Sequence, residues 1–182
     1  MLTALEKRDS NIAEYLLYMW QVEDIIRACN LDIEIIDRVV VAKYQADEDT
    51  KAQIHDWYNN LVEMMRDEDK VKSGHLQINE NVIINLTELH SQLLKSPKFP
   101  EYGAEFYKTL PFIVELRAKA GEGAAGELVT CFNALYMVLM MRMNKREISA
   151  ETSLAIKQIS KFIATLAKFY KKDKTESLFE DN

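Results

Sequence analysis

Glu23 and Arg27 stand four residues apart with the acid first, the order that favours an ion pair along one helix. Winding the segment that holds them at about 100° per residue places both near the centre of the stripe formed by Ile12, Leu16 and Trp20. Asp24 sits at the edge of the same face. A charge on a face meant for the core needs a partner, because an uncompensated buried charge is costly. Two chemistries fit. Glu23 and Arg27 can form a buried ion pair that fixes helix packing. Alternatively Glu23, Arg27, His90 and Arg117 converge on a small-molecule ligand, where carboxylate, guanidinium and imidazole could orient an anion or move a proton.

The other polar residues on apolar faces have plainer readings beside these. His90 falls beside Leu86 and Leu93, where a hydrogen-bonded core histidine is the simple expectation. Arg117 falls below Ile113 and Val114, and Arg142 below Leu135 and Leu139. Both arginines approach helix C-termini, where the dipole favours a cation and a long side chain can reach water. Lys157, Lys161, Lys168 and Lys172 line one face of the last helix, a solvated face or an anion-binding one.

Recognised reaction motifs do not occur. The three histidines, His55, His75 and His90, lie far apart in sequence, and no Glu-x-x-His or His-Glu-x-x-His spacing is present. No metal and no cofactor is therefore expected. Gly121, Gly123 and Gly126 imitate a dinucleotide-binding spacing, but they follow a helical segment rather than a strand. They read as a turn.

The elements that would position these residues are helices. Only 5 Gly and 3 Pro in 182 residues leave few turns and long elements. The fold expected is an all-α single helical bundle of about six to seven helices spanning residues 1–172, with a disordered polar tail at 173–182. A first helix starts near Ser10 or Asn11 and runs to about Cys29. A second is capped by Asn30, with Asp32 in its first turn, and runs to about Gln45. A third follows Asp47–Thr50 and ends at Lys72-Ser73-Gly74. A fourth spans Leu76 to Leu94, although the β-branched run Ile78–Ile84 also suits a strand. The loop Lys95–Pro100 comes next. Pro111 should then split Tyr102–Lys119 into two short helices or kink it, since proline inside a helix costs about 3 kcal/mol. A sixth helix covers Glu127–Met143, and a seventh runs from Ser149 to about Lys171.

The sixth helix is apolar on both sides. Leu128, Cys131, Phe132, Leu135 and Leu139 form its main stripe, while Met137, Met140 and Met141 lie opposite. Such a helix must be covered on both sides. Either the bundle surrounds it, or the methionines form an interface with another subunit. The protein is expected to be a homo-oligomer, most simply a homodimer, acting through protein contacts rather than by catalysis.

Composition narrows the class. Hydrophobic residues make up 48%, too many for a disordered chain. The net charge of −6 makes a nucleic-acid partner an unfavoured expectation. Residues 1–91 carry 9 Lys and Arg against 18 Asp and Glu, while residues 92–182 carry 14 against 11. Two cysteines match no zinc or redox spacing and suit a reducing compartment. Met1–Asn11 has no apolar run of the kind a secretory leader needs, and no stretch approaches the roughly 20 apolar residues of a membrane span. A cytoplasmic location without membrane attachment is expected.

The runs Asn11-Ile-Ala-Glu-Tyr-Leu-Leu-Tyr-Met-Trp-Gln-Val-Glu-Asp-Ile-Ile-Arg27, Cys131-Phe-Asn-Ala-Leu-Tyr136 and Glu147-Ile-Ser-Ala-Glu-Thr152 resemble a bacterial family of uncharacterised helical proteins, domain of unknown function 4924. The resemblance spans most of the chain and is strongest in the first helix. It implies an all-α, cytoplasmic bacterial protein, and it carries no activity or site residues to transfer.

Overall fold

The computed structural model describes residues 1–121 and 125–179. Eight α-helices occur among them, with no strand: α1 Leu2–Ser10, α2 Ile12–Ala28, α3 Ile33–Val39, α4 Glu48–Asp67, α5 Gln77–Lys95, α6 Pro100–Ala120, α7 Glu127–Met143 and α8 Ala150–Glu176. A short 3₁₀ turn, Val41–Lys43, follows α3. The count exceeds the expected six to seven because α1 forms where the charged N-terminal segment showed no apolar stripe. Ala4 of α1 is buried and Leu5 is exposed, and Lys7 and Arg8 in the last turn suit the helix dipole. The β-branched stretch Ile78–Ile84 lies within α5 and is helical.

Pro111 does not divide its segment. α6 runs unbroken from Pro100 to Ala120. Pro111 is exposed, and so is Tyr107 one turn before it, whose carbonyl the proline leaves unpaired. A freed carbonyl on the solvent side can bond to water, which lowers the cost of the lost hydrogen bond. Pro100 occupies the first turn, where a missing N–H does no harm.

Three helices end on the same device, which carries no glycine to announce it. Asn30, Asp69 and Lys145 adopt left-handed φ of 54°, 53° and 54°. At each, the next residue's amide bonds back to the helix: Leu31 to Ile26, Lys70 to Met65 and Arg146 to Met141. These bonds close the last turns of α2, α4 and α7 without glycine. Asn30 therefore ends α2 rather than capping α3. Asp32 is the cap, accepting from the amides of Glu34 and Ile35. α4 stops at Asp67, short of Gly74. The expected starts at Asn11 and Ser149 hold, with Asn11 accepting from the Ala13 amide and Ser149 from the Thr152 amide. α8 continues past Lys171 to Glu176. Gly123 and residues 180–182, part of the expected turn and tail, lie outside the described residues.

The chain divides into two compact units. The first comprises residues 1–10 and 14–82. Its core gathers Leu16, Met19, Trp20, Ile26, Ile36, Ile54, Tyr58, Met65 and Leu76. Asp37 on α3 meets His55 Nδ1 on α4 at 2.8 Å. The second comprises residues 11–13 and 83–182, in which α6, α7 and α8 pack on one another. Its core is aromatic, with Tyr102, Phe106, Phe132 and Phe162 all buried. No helix among the described residues is long and apolar enough to cross a membrane.

Candidate functional site

Within the first unit, α2 carries Glu23 fully out of water. One carboxylate oxygen accepts from the Leu76 amide at 3.0 Å and from Asn79 Nδ2 at 2.7 Å. The other meets His75 Nδ1 at 2.6 Å. Leu76 stands immediately before α5, where its amide has no partner within the helix, and Asn79 in the first turn offers its side-chain amide. Glu23 thus sits where α5 presents unpaired donors and the positive end of its dipole, which is why a carboxylate can be held there without water. Glu68 does the same for the Gln77 amide at 2.6 Å. The His75 ring stacks on Trp20 with centroids 4.1 Å apart and an 11° tilt. Its side chain is one-third exposed.

Arg27 does not pair with Glu23. Its guanidinium reaches Asp24 at 3.0 Å, the Lys70 carbonyl at 3.2 Å and the Gly74 carbonyl. The two residues on the apolar stripe of α2 therefore grip one segment, the connection from α4 to α5. Gly74 is required there: its φ is +84°, and a Cβ would approach Lys70 Cδ to 3.3 Å. Lys70 in turn bonds Glu80 at 3.0 Å.

His90 finds its partners within the second unit. Its Nδ1 lies 2.6 Å from the Tyr102 hydroxyl, and its Nε2 lies 3.5 Å from Glu127. The rings of Tyr102, Phe106 and Phe162 surround it edge-on. Burial holds the His90 pKa below its ordinary value, with the Glu127 carboxylate pulling the other way. With Nδ1 accepting a hydrogen bond from the Tyr102 hydroxyl, Nε2–H points toward Glu127. Burial also raises the Tyr102 hydroxyl. Burial, with Glu127 nearby, pushes the Cys131 thiol up to about 12. Each histidine is thus matched to its own acid, and no three His, Cys, Asp or Glu among the described residues come together as a metal site.

The basic residues disperse. Arg117 is half-buried, with its Nε enclosed and unbonded among the described residues, while Arg142 is exposed. Lys157, Lys161, Lys168 and Lys172 are all exposed. Lys161 bonds the buried Glu105 at 2.7 Å, and Lys172 meets Glu176 at 3.4 Å. Glu105 also accepts from Gln158, and the Lys161 ammonium holds its carboxyl below the usual range.

The apolar residues of α7 behave differently. Leu128, Cys131, Phe132 and Val138 are buried, while Met137 on the other side is 62% exposed. Met140 and Met141 are half-buried. With Asn133, Tyr136, Asn144 and Arg146 these methionines line an open groove of about 590 Å³. A groove of thioethers and a tyrosine ring can take an apolar surface of adaptable shape.

His75, Asn79 and Glu105 were not legible as partners in the sequence. One signal pointed to the Leu76 amide that lies between the first two. The start of any helix after Gly74 leaves amide donors that need an acceptor, and Glu23 was an acceptor in need of donors.

The model of the family called Domain of unknown function (DUF4924) matches residues 1–177, and the chain belongs to that family. No curated protein and no solved structure matches it.

Proposed function

We propose that this family member works through protein contacts, as a homodimer paired across the methionine face of α7. The observation behind this is Met137, largely exposed in mid-helix on a helix whose opposite side is core. Met140 and Met141 continue the same groove. A patch of this kind marks an interaction surface more often than bare solvent contact. Two copies meeting about a two-fold axis would present the same patch to each other, the commonest arrangement for soluble homo-oligomers. The small-ligand alternative around Glu23, Arg27 and His90 has no comparable support. Glu23 already spends both oxygens on three donors. Arg27 is spent on Asp24 and two carbonyls. His90 is enclosed by rings.

Light scattering coupled to gel filtration tests the reading. The wild-type chain should elute with the mass of two copies, and Met137→Lys with the mass of one and an unchanged helical circular dichroism spectrum, because position 137 is exposed in the protomer. A wild-type monomer at every concentration, or a Met137→Lys dimer, would sink it.

A further inference from the structure

The sulfur atoms of this chain are unevenly placed. It has 8 Met and 2 Cys. Cys29 and Cys131 are both buried, with thiols raised above their ordinary value by that burial. Buried, protonated thiols react poorly with oxidants, because the thiolate is the nucleophile. Met19 and Met65 are also buried, at 2% and 0% exposure. Met137 and Met143, on α7, are more than half exposed, and Met140 and Met141 line the same groove as Met137. Met1 and Met64 are half-buried and lie elsewhere, so the groove assigned above to pairing holds three methionines, Met137 the most exposed of them.

We propose that this face is a modification site: a hydroperoxide converts Met137 to its sulfoxide in the free protomer and so prevents pairing. The inference rests on the homodimer reading. In the step, the thioether sulfur attacks the outer peroxide oxygen, an S–O bond forms and the O–O bond breaks. Sulfur loses two electrons, the proton passes from the transferred oxygen to the leaving one, and the hydroperoxide departs as an alcohol, or as water when it is hydrogen peroxide. A flexible apolar side chain becomes a polar one. A sulfoxide forced into an apolar contact without a donor weakens it, by about tenfold or more for each one buried. A two-fold interface buries two. Pairing in turn shields Met137, so the oxidant acts on whichever copies are dissociated.

Hydrogen peroxide with peptide mass spectrometry tests this on the full chain. In dilute protein, Met137 should oxidise about tenfold faster than Met65. Its rate should fall as concentration rises through the dimer dissociation constant, while that of Met65 does not change. Oxidised wild type should run as a monomer. Met137→Leu keeps an apolar side chain of similar volume, and it should stay dimeric after the same treatment. Equal rates at Met137 and Met65 would overturn the proposal. So would full oxidation of Met137 with the dimer intact, or dissociation of oxidised Met137→Leu. A chain that is monomeric before peroxide refutes the homodimer reading itself and the switch with it. A dimer that survives oxidation refutes only the switch.

Discussion

Replacing Glu23 separates a structural carboxylate from a ligand-binding one. In Glu23→Ala, the Leu76 amide and the Asn79 side-chain amide both lose their acceptor in a region without water access. The His75 ring loses the group that orients it. A buried donor left unbonded costs about 1–3 kcal/mol. Two such donors are left, so about 4 kcal/mol is expected for Glu23→Ala. Glu23→Gln keeps a carbonyl oxygen for Leu76 and Asn79 and loses the charge and the oxygen facing the partly exposed His75, at about 1–2 kcal/mol. Asn79 sharpens the comparison. Its Oδ1 is buried without a partner because its Nδ2 must face Glu23, so turning the amide over would bring two acceptors together. Urea unfolding followed by circular dichroism gives the two free energies. Hydrogen exchange at the Leu76 amide reports whether the loss is local, and protection there should fall in Glu23→Ala and largely survive in Glu23→Gln. An alanine variant within about 0.5 kcal/mol of wild type, or equal effects of the two substitutions, would refute the reasoning.

Two further outcomes follow from the same geometry. His90 is held neutral below its ordinary value of 6.5, so the unfolded chain binds its proton first. Stability should be full above about pH 6.5 and fall as acid is added below it. His90→Phe should flatten that slope between about pH 5 and 6.5, and an unchanged slope in a pH series of urea unfolding would count against the role given to His90. Lys145 is exposed and left-handed with φ of 54°, a conformation costing about 1 kcal/mol or more for a residue with a Cβ. Lys145→Gly should raise the stability of the chain by about 1 kcal/mol in thermal melting, and a lower melting temperature would refute the assignment.

The sequence by itself determined the elements that rest on local periodicity. The apolar stripe of α2, the bounds of α7, the Ser149 cap of α8 and the loop before Pro100 were all legible, because spacing along one helix decides them. Membership of the family was legible in the same runs. The closing turns at Asn30, Asp69 and Lys145 were not. Glycine is the residue that announces a left-handed turn, and these three turns form without it. The uninterrupted course of α6 was hidden for a different reason: whether Pro111 breaks the helix depends on which way the freed carbonyl faces, and only packing decides that. The pairing of Glu23 belongs with these. Sequence showed a carboxylate on an apolar face, and its neighbour Arg27 was the local candidate at one turn's distance. The tertiary structure chose His75, Leu76 and Asn79 instead, 52 to 56 residues away. A buried acceptor seeks donors that have no other acceptor, and the free Leu76 amide at the start of α5 supplied one, with the His75 and Asn79 side chains beside it.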